Sequence, residues 1–97
     1  MNRIIKSIDL HTSSSFKKDY EQLSDEIKRF VDLALEGLLC NPQPGRLRLE
    51  KLQGNNKPPV YTIHVTPNHS HKISFEIKGT VAVMRKIGTH KDIDRCP

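Results

Sequence analysis

The sequence predicts a two-layer α+β fold: an N-terminal strand, a two-helix hairpin, then an antiparallel three-stranded meander with the helices on one sheet face. Three observations carry this reading. Apolar residues at 16, 20, 23, 27, 30, 31, 34, 35 and 38 keep the three-to-four spacing of one helix face. Three short apolar runs follow residue 59, separated by turn residues. Asn41-Pro42-Gln43-Pro44-Gly45 divides the two regions, because proline and glycine stop a helix. At 97 residues the chain makes one domain, 1–97.

In order, residues 4–10 predict a strand, with Lys6, Ile8 and Leu10 alternating along one face. Thr12-Ser13-Ser14-Ser15 offers helix N-caps. Helices are expected over 14–23 and 25–39, with Ser24-Asp25-Glu26 as a second cap and acidic first turn. Periodicity continues across Ser24, so a single bent rod remains open. Residues 46–52 alternate as a short edge strand or an extended connector, and 53–59 form a loop. Strands are expected at 60–66, 71–78 and 81–87, with turns at 67–70 and 78–80. Gly88 allows a sharp bend, and the tail to Pro97 is too short for an independent element.

Sixteen Lys and Arg against eleven Asp and Glu give a formal charge of +5. The pI near 9.4 favours polyanionic partners, either nucleic acid or an acidic protein segment. Cys40 and Cys96 stand far apart in no CxxC pattern, which suggests reduced thiols and a cytoplasmic protein. No apolar run approaches the ~20 residues of a membrane span, so no membrane partner is expected. The N-terminus alternates apolar and polar residues instead of opening a signal-peptide core.

Strand alternation sorts the side chains. Tyr61, Ile63 and Val65, with Ile73, Phe75 and Ile77, share the core face. Thr62, His64, Lys72, Ser74 and Glu76 share the other, which is expected to be open. The last strand has apolar residues on both faces, which leaves Arg85 and Lys86 unassigned. An imidazole and an ammonium on neighbouring strands, with His90 beyond a third, make a candidate phosphate-handling site. Cleaving RNA through its own 2′-OH needs a base, an acid and cations for the phosphorane. Histidine suits either proton-transfer role, and lysine or arginine the electrostatic one. His69 and His71 lie in or beside a turn and read as solvated. The histidines lack the cysteines and ligand spacing of a structural zinc site, so no metal or other cofactor is expected.

Several segments resemble the RelE/ParE superfamily of bacterial toxin–antitoxin toxins. They are Phe16-Lys-Lys-Asp-Tyr-Glu-Gln-Leu23, Asn41-Pro42, Leu49-Glu-Lys-Leu-Gln-Gly54, His71-Lys-Ile-Ser-Phe-Glu-Ile77 and Ile87-Gly-Thr-His90. Within the superfamily the chain is most similar to the YafQ-like branch, through His64-Val-Thr-Pro-Asn68 and Gly88-Thr-His90. The resemblance implies a RelE-like fold and an endoribonuclease that cleaves mRNA on the ribosome. In it His64 and His90 would share acid–base work, and Lys72 with Arg85 or Lys86 would stabilise the phosphorane. Arg46, Arg48, Lys51 and Lys57 would track RNA backbone. Asn68 stands where that branch has aspartate and cannot act as a carboxylate base. An aromatic is often found after the closing bend, where this chain has Ile93, Asp94 and Cys96. Asp94, Asn68 and His71 are the further candidates. The implied partners are an acidic antitoxin protein, mRNA and the ribosome. A ParE-like inhibitor of DNA gyrase and a degenerate toxin that only binds its antitoxin are the alternatives.

Overall fold

The computed structural model describes residues 4–52 and 59–97. Among these, five strands form one mixed sheet in the order β1-β5-β4-β3-β2. They are β1 (Ser7–Asp9), β2 (Glu50–Lys51), β3 (Tyr61–His64), β4 (His71–Lys78) and β5 (Val81–Thr89). Helices α1 (Ser14–Glu21) and α2 (Asp25–Leu38) precede β2, and α3 (His90–Arg95) follows β5. β3, β4 and β5 form the expected antiparallel meander, while β1 runs parallel to β5.

Ser24 settles the choice between two helices and one rod. Its backbone is extended, at φ −66° and ψ 160°, and its side chain accepts the Ile27 N–H. Asp25 and Glu26 complement the positive end of α2. Phe16 of α1 and Val31, Ala34 and Leu38 of α2 bury against Ile63, Ile73, Phe75 and Met84. Each of these side chains except the small Ala34 contributes about 1.5–3 kcal/mol on removal from water.

β1 is shorter than the expected 4–10, because the Asp9 carboxylate accepts the N–H groups of His11 and Thr12 and closes a turn. Ile5 is the buried residue there and Leu10 is exposed, opposite to the simple alternation. β1 covers β5 only at 81–83. Beyond it, α1 satisfies the bare edge: Ser13 Oγ donates to the Arg85 carbonyl, and Ile87 N–H donates to Asp19 Oδ2. Residues 46–52 supply both a 3₁₀ turn, Gly45–Leu47, and the edge strand β2 paired with β3.

The second sheet face is not open. The tail forms α3, capped by Thr89, whose Oγ1 accepts the Asp92 N–H. It lies over β4 and β5 with Ile93 buried outside the main core cluster. Lys72 and Ser74, expected to face solvent, are 3% and 0% exposed. Gly88 does not bend the chain, since β5 runs on to Thr89. Its role is close approach: a Cβ there would meet the Asp92 Cβ at 3.3 Å. A bulge at Ser74/Phe75 opposes Ser74 to Lys86 and Phe75 to Met84, so Arg85 is the extra residue. Arg85 and Lys86 therefore both reach the second face, which strict alternation does not allow. No described helix is long and apolar enough to cross a membrane.

Ile93 holds α3 to the sheet, so Ile93→Ala is expected to speed amide exchange at residues 90–96 well before global unfolding. Phe75→Ala should instead lower global stability by about 3–5 kcal/mol. Unchanged exchange in α3 of Ile93→Ala would refute this account of the second layer.

Candidate functional site

Sheet register builds the site. His64 pairs with Lys72, and Lys72 with Gly88, so the three lie in a row across β3, β4 and β5. His90 follows two residues after Gly88, and its N–H donates to the Ser70 carbonyl at 3.0 Å. That bond ties the start of α3 to the 66–70 turn. Within the turn, Ser70 N–H is accepted by Thr66 Oγ1 and Asn68 Oδ1, and His69 adopts φ +59°. This left-handed backbone is uncommon outside glycine and often accompanies function. It sets the His69 ring 4.5 Å from that of His64, centroid to centroid, with the His90 ring 5.7 Å from His64 on another side.

Asp94 joins the remaining groups. One carboxylate oxygen accepts from Lys72 Nζ at 2.9 Å, and the other lies 2.7 Å from His90 Nδ1. The Lys72 hydrogen bond holds the Asp94 carboxyl below the usual aspartate value, helped by the nearby charges of His90 and His64. His64 is shifted for a different reason. Burial lowers its imidazole below the ordinary value, and the charges of His69, Lys72, His90 and Arg48 lower it further. Its Nδ1 is buried with no hydrogen-bond partner among the described residues. The site therefore offers a histidine biased towards its neutral form beside one oriented by a carboxylate.

A groove of about 500 Å³ opens beside this cluster. Phe30 and Leu33 of α2 form an apolar wall, Arg46 and Arg48 of the 3₁₀ segment form the rim, and His64 and His69 line the far side. Arg48 also holds a left-handed backbone, φ 48° and ψ 51°.

The sequence-predicted residues divide accordingly. His64, His90, Lys72 and Asp94 come together. Lys72, however, is buried against Asp94 instead of facing solvent. Arg85 is the extra residue of the bulge opposite Ser74 and Phe75, further along β4 than Lys72. It pairs with Glu76 and donates through Nε to the Pro97 carbonyl. Lys86 donates to the Cys96 carbonyl. Arg46 and Arg48 reach the groove, whereas Lys51 sits exposed on β2. Asn68 serves the turn, and His71 Nδ1 shares a hydrogen bond with Ser70 Oγ. Lys57 lies outside the described residues. No three described His, Cys, Asp or Glu side chains are placed to hold a metal ion.

Sequence reasoning missed three features. His69 reads as a solvated turn residue because its positive φ is not visible in composition. Leu33 falls off the helical stripe, and that displacement was the available sign that it serves another surface. Thr89, three residues before Asp92, was the available signal for α3.

No family model matches the sequence, and no curated protein is significantly similar to it. Solved structures do match. YafQ from E. coli strain BL21(DE3) is 19% identical, with a TM-score of 0.67 over 94% of this chain and 97% of that one. A chain of the RelB–RelE antitoxin–toxin complex from Methanococcus jannaschii is 24% identical, with a TM-score of 0.65 over 88% and 96%. A chain of the E. coli DinJ–YafQ complex is 21% identical, with a TM-score of 0.64 over 94% and 97%. The five-stranded sheet, its helices and their order are thus those of a known architecture, and this chain has the RelE-like fold seen in the RelE and YafQ structures of toxin–antitoxin systems.

Proposed function

We propose that the protein is the toxin of a toxin–antitoxin pair and an endoribonuclease that cleaves mRNA on the ribosome. The observation that carries this reading is the His64–His90 pair, 5.7 Å apart with opposite electrostatic surroundings. His64, biased neutral, takes the proton from the 2′-OH. The 2′-oxygen attacks phosphorus, and the bond from phosphorus to the 5′-oxygen breaks. His90, when protonated, gives its proton to that departing oxygen. Asp94 orients the His90 ring, as a carboxylate does for a catalytic imidazole elsewhere.

The cations take roles different from those the sequence suggests. Lys72 is a positioning residue, holding Asp94 from beneath. Arg48, whose charge already weighs on His64, stabilises the phosphorane, with Arg46 beside it on the groove rim. Arg85 and Lys86 secure the C-terminal segment. The basic charge suits an acidic antitoxin as the neutralising partner in the cytoplasm.

Induction with mapping of mRNA ends tests the reading. His90→Ala, folded as judged by circular dichroism, is expected to lose cleavage at least ~100-fold and to abolish growth arrest. Undiminished cleavage would sink the proposal. Gyrase inhibition without cleavage would replace it with the ParE-like one.

Asp94→Asn keeps the shape but removes the charge shared by Lys72 and His90. Cleavage is expected to fall, and stability to drop by about 1.5–3 kcal/mol, the range for hydrogen bonds to charged groups. Equal activity and stability to wild type would exclude the positioning role. For His64, an NMR titration of the ring should give a midpoint below ~6.5. The sign follows from burial: the folded chain binds this proton less tightly than the unfolded chain. The base form therefore persists to lower pH, and stability is lost as pH falls below that value. A midpoint at or above 6.5 would contradict the assignment of His64 as the neutral partner.

A further inference from the structure

We infer that the groove between α2 and the 3₁₀ segment seats one nucleotide of single-stranded RNA, its base against Phe30 and Leu33 and its phosphate on Arg46 and Arg48. This rests on the proposed ribonuclease reading and adds to it the place where a base is held next to the reacting phosphate.

Four observations converge on a nucleotide. The groove volume of about 500 Å³ falls within the ~300–1,000 Å³ of small-ligand sites. Its lining is split as a nucleotide requires, with an apolar wall facing two guanidinium groups and two imidazoles. Leu33 is 51% exposed and lies off the stripe of α2 that Val31, Ala34 and Leu38 bury in the core. An exposed leucine beside cations covers no core, and it offers a flat apolar contact to a base. Phe30 is half-buried, so one part of its ring packs on the core while the remainder lines the groove. Aromatic contact with a base is tolerant of sequence and holds bases in single-strand sites generally.

The cations favour nucleic acid over an apolar peptide. Arg46 and Arg48 make no ion pair with any described residue, whereas Lys72 and Arg85 are neutralised within the fold. A guanidinium fork matches a phosphate in two parallel hydrogen bonds. Because His64 lines the same groove, a phosphate held on the rim lies towards the proposed base. Groove and histidine cluster are thus one continuous surface: the base lies on the helix side and the scissile bond on the sheet side.

The full chain titrated with adenosine 3′-monophosphate, adenosine or inorganic phosphate, followed by amide shifts, tests this directly. The nucleotide is expected to perturb residues 30–34, 45–48 and 64–69 together, and phosphate alone only the arginine rim and His64. Leu33→Glu, on an exposed helix position, should weaken nucleotide binding and mRNA cleavage about tenfold or more with an unchanged thermal midpoint. Leu33→Met should restore both. Shifts confined to another surface, or a Leu33→Glu variant that binds and cleaves as wild type, would overturn the inference. So would occupancy of the groove by an antitoxin peptide with no nucleotide response. If Leu33→Glu cleaves normally while His90→Ala is inactive, only the groove assignment fails. If His90→Ala cleaves normally, the ribonuclease reading fails, and the nucleotide titration alone decides the groove.

Discussion

A lysine ammonium removed from water needs an anion, and in this protein a single carboxylate meets that need. Lys72 is 3% exposed on the second sheet face, and Asp94 is the group that accepts from it. An unpaired charge at that depth would cost several kcal/mol. Asp94 can reach Lys72 only if the chain after β5 turns back over the sheet. The Thr89 cap, the close approach at Gly88 and the burial of Ile93 all serve that return. The same carboxylate's second oxygen then meets His90. Charge compensation and placement of the His90 imidazole are in this way one structural event.

The two histidines reach each other from different directions, and that difference sets their surroundings. His64 arrives at the end of β3 and is partly covered, which penalises its charged form. His90 arrives at the start of α3 on an exposed surface, with a carboxylate one helical turn ahead. The hydrogen bond from His90 N–H to Ser70 fixes the separation, and the 66–70 turn adds His69 beside them. One residue type thus stands in two different surroundings within the same cluster.

Much of the frame was legible. Helical spacing located α1 and α2, and the period-two pattern put Tyr61, Ile63, Val65, Ile73 and Phe75 in the core, where all five are buried. Parity also put His64 and Lys72 on one face. What parity cannot reveal is the cover on that face. A six-residue helix with one buried isoleucine leaves almost no periodic trace, so Lys72 read as exposed. Arg85 and Lys86 escaped for another reason. A bulge is set by how two strands pair, and it cancels alternation at the point where their parity was needed. His69 depended on a backbone angle, and the arginine rim on a 3₁₀ turn, neither of which follows from hydrophobic pattern.

The positive charge of the chain gains meaning once its internal pairings are removed. Lys72 is matched by Asp94, Arg85 by Glu76, and Lys86 turns to the carbonyl of Cys96. These cations, the strongest phosphate candidates in sequence, hold the C-terminal segment against the sheet. Arg46 and Arg48 come from the irregular segment after α2 and keep their charge at the groove. The left-handed backbone at Arg48 directs the chain from the 3₁₀ turn into β2 at the level of the histidine cluster. Strain of this kind persists only where the surroundings fix it. Here the surroundings are buried Leu47 and Leu49 on either side, which anchor the turn in the core while the arginine between them stays outside. The groove's electrostatics thus follow from alternate anchoring of a short segment, and its apolar wall from one leucine displaced from a helical stripe.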